Sequence, residues 1–211
     1  MVDAETRRVV VIDDDQSVRA AVTDLLESVG YKVSAFPTAE AFLSAAEPEA
    51  DCLVLDVRMP GAGGLELQRR LMKAGNEPAI VFITGHGDVP MCARALKAGA
   101  LDFLLKPFND QDLLDAVATG VLRSMQKRCS RAEREARSAL FACLSERERD
   151  VVVRVAQGQL NKQIAGELGV SEITIKVSRA QAMRKLQVAT LPDLVRLVDA
   201  VQGASNQYTK V

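Results

Sequence analysis

The sequence predicts an α/β unit built on a doubly wound, five-stranded parallel sheet. A separate all-α unit follows, with four helices and a helix-turn-helix. Three observations carry this. Short apolar runs alternate with helical periodicity over the first 122 residues; beyond Leu144 only helical periodicity remains; and the charge divides between the two parts. Of the 211 residues, 1–122 hold 19 acidic and 11 basic side chains, whereas 123–211 hold 9 and 16. The net charge of −1 therefore hides an acidic unit suited to cations and a basic one suited to a polyanion.

Five apolar runs, at 9–12, 31–36, 52–55, 79–84 and 101–105, predict the strands. The first, third and fourth are continuously apolar, as strands buried on both faces are. Between the first two, Val18, Val22, Leu25, Leu26 and Val29 recur at helical spacing, and Gly30 ends that helix. Further helices are expected at about 38–46, 64–74, 89–98 and 110–122. Strands alternating with helices imply a parallel sheet covered on both faces, with ligands at the carboxyl ends of the strands.

Residues 123–140 are polar, highly charged and free of Gly and Pro, which predicts a helical linker extending the fifth helix. In the second unit, 141–202, Ser145 and Glu148 form the capping pattern that opens a helix stopped by Gly158. A second short helix, 161–168, ends at Gly169, Ser171 caps a third, and 191–201 makes a fourth. The turn with Gly169 and Ser171 is the helix-turn-helix pattern. The tail, 203–211, is expected to fray.

With 48% hydrophobic residues the chain can bury a core, which excludes wholesale disorder. No apolar run approaches the ~18 residues that span a bilayer, and the N-terminus carries no secretory pattern, so no membrane association is expected. Cys52, Cys92, Cys129 and Cys143 lack metal-binding spacing and read as reduced thiols, so the expected localisation is cytoplasmic. One histidine and four scattered cysteines argue against a His/Cys metal site.

The chemistry concentrates at the strand ends. Strand 1 runs into Asp13-Asp14-Asp15, strand 3 into Asp56, strand 4 into Thr84 and strand 5 into Lys106-Pro107. Carboxylates gathered in one crevice repel one another and call for a hard cation with oxygen ligands, which points to Mg²⁺. Lys106 adds a compact positive charge and Thr84 a hydroxyl donor. An Asp beside Mg²⁺ and Lys is suited to attack a phosphoryl group and become an aspartyl phosphate.

The stretches VVVIDDDQSVR, CLVLDVRMPGAGGLEL, IVFITGHGD and ALDFLLKPF resemble the CheY/flavodoxin-like receiver domain of two-component response regulators, over residues 7–122. The resemblance implies a phosphoacceptor at Asp56. It implies metal binding by Asp13, Asp14, Asp56 and the backbone carbonyl of Arg58, and a switch formed by Thr84, Phe103 and Lys106. The family commonly has Tyr where this chain has Phe103, which excludes a hydroxyl hydrogen bond from that ring. His86, two residues beyond Thr84, is expected to line the pocket rim, where with Arg58 it would tune phosphoryl lifetime.

Residues 144–201, with the segments LSERERDVV and NKQIAGELGVS, resemble the four-helix DNA-binding domain of the LuxR/NarL group, so the whole chain resembles a FixJ-type regulator. The same helix-turn-helix resembles region 4 of sigma factors, but an attached receiver decides against that. On the third helix, Lys176, Val177, Arg179 and Ala180 belong to the stretch expected to face the major groove. Asn161, Lys162, Ser171, Thr174 and Lys185 are candidates for phosphate contacts. Departures from the group's pattern at Ile173, Lys176 and Ser178 bear on the target sequence.

The expected function is a phosphorylation-dependent transcriptional regulator. A sensor histidine kinase would phosphorylate Asp56, the chain would dimerise, and the homodimer would bind double-stranded promoter DNA, with RNA polymerase as a further partner. No turnover enzyme is expected, only autophosphorylation from small donors and autodephosphorylation. The alternative is a receiver-controlled adaptor whose basic domain binds a protein partner.

Overall fold

The computed structural model describes residues 7–45, 50–75, 78–85 and 89–207, and the chain divides into two compact units at Lys127. In the first unit the elements run β1 (Arg8–Ile12), α1 (Gln16–Ser28), β2 (Lys32–Phe36), α2 (Ala39–Ser44), β3 (Cys52–Asp56), α3 (Gly64–Lys73), β4 (Ala79–Thr84), α4 (Val89–Lys97) and β5 (Asp102–Leu105). The helix α5 (Asp110–Ala142) follows. All strand pairs are parallel, in the order β2-β1-β3-β4-β5. The central strands β1, β3 and β4 are buried along nearly their whole length, while β2 and β5 at the edges are partly exposed. That is the difference the continuous and interrupted apolar runs predict.

The pleat sorts the core into two layers. Val10, Ile12, Leu53, Leu55, Ile80 and Phe82 pack with Ala39 of α2, Leu67 and Leu71 of α3 and Ala95 of α4. Val9, Val11, Val54, Val81 and Ile83 pack with Val22 and Leu26 of α1 and with Leu113, Val117 and Val121 of α5. Close approach of α5 requires Gly120, where an added Cβ would lie 2.8 Å from the Cys52 sulfur.

The second unit contains α6 (Glu146–Ala156), α7 (Asn161–Leu168), α8 (Glu172–Lys185) and α9 (Leu191–Gln207). Ser145 and Glu148 close a reciprocal capping box on α6, with the Ser145 N–H donating to Glu148 Oε2 at 2.8 Å. Gly169 ends α7 in the left-handed region at φ 66°, and Ser171 caps α8 by accepting from the Thr174 N–H. Leu144, Val151, Val152, Val155, Ile164, Ile175, Leu186, Leu194 and Leu197 form the core, joined by Ala165, Ala182 and Val198, which are too small or too late in the pattern to stand out. α5 continues unbroken to Ala142, and Ser145 starts the next helix. The expected fraying is corrected over 203–207, where α9 runs on to Gln207 with no proline to interrupt it; the rest of that tail, 208–211, lies outside the described residues. Among the described residues no helix is long and apolar enough to cross a membrane.

Candidate functional site

At the carboxyl edge of the sheet the three consecutive aspartates take different positions. Asp13 is fully buried, and its Oδ1 accepts from the Asp15 N–H at 2.9 Å. Asp14 is exposed. Asp15 caps α1, accepting from the Ser17 and Val18 N–H groups, and these bonds hold its carboxyl below the usual carboxylate range. The Arg19 guanidinium donates to the Asp13 and Asp14 carbonyls at 2.6 and 3.4 Å, so the first turn of α1 pins the loop.

Asp56 ends β3 and is 7% exposed. Its Oδ1 accepts from the Arg58 N–H at 3.2 Å; the Arg58 side chain is exposed. Lys106, just beyond β5, reaches back across the sheet edge. Its Nζ donates to Asp13 Oδ2 at 2.6 Å and to Asp56 Oδ2 at 3.2 Å. Its peptide bond to Pro107 is cis, and its backbone N–H donates to the Thr84 carbonyl at 2.8 Å. Thr84 is buried at the end of β4, one residue past Ile83, the register partner of Asp56. Phe103 is half-buried in β5 with its ring centroid 6.3 Å from that of Phe82. His86 lies outside the described residues.

One carboxylate oxygen from each of Asp13, Asp14 and Asp56 lies within 4.8 Å of the others. Burial raises the Asp13 pKa, and the Lys106 hydrogen bond and charge only partly oppose it. Burial also works against the Lys106 ammonium, but Asp13 and then Asp56 outweigh it and its pKa is raised. Three carboxylates against one ammonium leave two formal negative charges, which a single divalent cation would cancel. The donor set, oxygen throughout, fits such a cation.

Sequence reasoning missed the residues that shape this edge. An added Cβ on Gly64 would lie 2.3 Å from the Asp56 carbonyl oxygen, so glycine is needed for α3 to start against the end of β3. Glu40 holds the intervening loop by accepting from the Ala62 N–H at 3.0 Å. The doublet Gly63-Gly64 was a visible signal; the pairing of Glu40 with Ala62, 22 positions apart, left none.

In the second unit α8 presents one face to the core and one outward. Ile175, Ser178 and Ala182 are buried, while Lys176, Val177 and Ala180 are exposed and Arg179 is half-buried. Lys162 is exposed and Asn161 half-buried at the start of α7. Ser171 and Thr174 are tied to each other, oxygen to oxygen at 2.7 Å. Lys176 pairs with Glu172 at 3.2 Å. Lys185 is anchored more firmly: its Nζ lies 2.6 Å from Oε2 of the largely buried Glu148. That hydrogen bond, followed by the Ser145 N–H, lowers the Glu148 pKa.

Comparison with known proteins covers both units. Residues 9–118 match the response regulator receiver domain, and residues 142–198 match the bacterial regulatory proteins of the luxR family. Nodulation protein W of Bradyrhizobium diazoefficiens is 44% identical over 99% of this chain and 92% of its own length. Transcriptional regulatory protein FixJ of Azorhizobium caulinodans is 44% identical over 92% of each chain. Among solved structures, the response regulator StyR is similar at a TM-score of 0.84, with 48% identity over 91% of this chain and 98% of its own. Full-length FixJ from B. japonicum gives 0.56, with 42% identity over 92% and 97%. The chain thus belongs to the response regulators that join a receiver domain to a luxR-family helix-turn-helix, and it is a transcriptional response regulator of the FixJ type.

Proposed function

We propose that Asp56 accepts a phosphoryl group from a sensor histidine kinase and that the phosphorylated chain dimerises and binds promoter DNA. The observation that carries this is Lys106 Nζ shared between Asp13 and Asp56 in a pocket with two formal negative charges in excess. A carboxylate oxygen of Asp56 bonds to phosphorus as the P–N bond of the phosphohistidine breaks. The imidazole nitrogen leaves with the bonding pair and takes up a proton. A divalent cation, Mg²⁺ for its preference for hard oxygen ligands, would be held by Asp13, Asp14, Asp56 and the Arg58 carbonyl and would draw negative charge from the transferring group.

This chain's own residues do the rest. Lys106 exchanges its contact with Asp56 for a phosphoryl oxygen while Asp13 keeps its charge in place. Thr84, next to the Asp56 register partner, turns its hydroxyl to another phosphoryl oxygen, and Phe103 packs inward along Phe82. These movements alter the surface of α4 and β5 and favour a two-fold dimer, whose paired helix-turn-helix units occupy half-sites about one helical turn apart. Small phosphodonors serve the same pocket without a kinase. Incubation with acetyl phosphate and Mg²⁺ is expected to add one phosphoryl mass to the wild type and none to Asp56→Asn. Equal labelling of both would refute Asp56 as the acceptor.

A further inference from the structure

The outer face of α8 carries two apolar side chains that the protein core does not claim. Ile173 is 73% exposed and Val177 50%. Ile173 is the most exposed of the large hydrophobic residues among the described residues. At about 100° per residue they lie within about 40° of each other, with Lys176 and Ala180 on the same arc and the buried Ile175, Ser178 and Ala182 opposite. Single exposed aliphatics are common on protein surfaces, but a pair on one face, flanked by Lys176 and, two turns beyond Val177, by Arg184, marks a contact surface. The flanking cations select a polyanion, and the apolar group that duplex DNA offers in its major groove is the thymine 5-methyl.

We propose that Ile173 is a specificity-determining residue: with Val177 beside it, its side chain seats against a thymine methyl in each operator half-site. This rests on the reading of the second unit as the DNA-binding domain. Ile173 lies in the first turn of α8, the part of a recognition helix that reaches base edges. An aliphatic chain there discriminates through methyl burial rather than hydrogen bonding, so it fixes a thymine and tolerates no equivalent contact with cytosine.

The test uses the full chain with Mg²⁺ and beryllofluoride. Duplexes are selected from a randomised pool, and each thymine of the enriched site is then replaced in turn by deoxyuridine, which lacks only the methyl. One buried methyl contributes about 0.8 kcal/mol, so one position per half-site is expected to weaken wild-type binding about fourfold. The same replacement should leave Ile173→Ala binding unchanged, and selection with Ile173→Ser should lose the thymine at that position only. Ile173 is exposed enough for both variants to keep the fold. Equal sensitivity of wild type and Ile173→Ala at every thymine would overturn the proposal and assign the apolar face to a protein partner. If the wild type enriches no duplex, the DNA-binding reading itself falls, and this assignment with it.

Discussion

Asp13 has the least solvent of the pocket carboxylates and the clearest electrostatic consequence. Its pKa is raised, so the folded state holds that proton more tightly than the unfolded chain does. Stability therefore falls as pH rises from its ordinary value of 3.8 through the raised one, and the ionised group costs stability at neutral pH. Asp13→Asn is expected to melt higher than the wild type without divalent cation. Mg²⁺ at a hundred times its Kd should stabilise the wild type by about 2.7 kcal/mol and the variant far less. Calorimetry with and without Mg²⁺ checks both, and an equal Mg²⁺ effect in the two proteins would remove Asp13 from the metal site. Glu148 has the opposite sign. Its pKa is lowered by Lys185, so its contribution is present above the ordinary 4.5 and is lost as pH falls through the lower folded value. The stability gap between wild type and Glu148→Gln should close as thermal scans move from pH 6 to pH 3.

At the scale of elements, glycine positions separate two effects. Gly64→Ala would drive a methyl against the Asp56 carbonyl and is expected to cost about 1–3 kcal/mol in urea unfolding. Gly166, within α7, has no atom within 4 Å of an added Cβ, and Gly166→Ala is expected to gain about 0.5–1 kcal/mol. The strands and their ranking from centre to edge were legible in the sequence, because continuous apolar runs and burial on both faces have one cause. The pocket was legible for the same reason: parallel strands put their last residues at one edge, so Asp13, Asp56 and Lys106 had to converge. Local rules did not reveal contacts made by distant residues. Lys185 reads as an exposed phosphate contact, yet it pairs with Glu148, 37 positions earlier. Gly64 looks like a loop glycine, and only the backbone of β3 beside it makes it obligatory. The helix at 203–207 was missed because Gly203 reads as a stop in isolation.

At the scale of the whole molecule, the acidic and basic halves correspond to two compact units with separate cores, one holding the pocket of Asp13, Asp14, Asp56 and Lys106 and the other the outward face of α8. The function proposed above has the state of Asp56 change how copies of the chain associate, because two-fold pairing of two DNA-binding units strengthens binding beyond what one unit gives. Sedimentation velocity with Mg²⁺, with and without beryllofluoride, on wild type and Asp56→Asn tests that most directly. A monomer-to-dimer shift is expected in the wild type when beryllofluoride is added and none in Asp56→Asn. A wild type that stays monomeric, or a shift of the same size in both proteins, would contradict it.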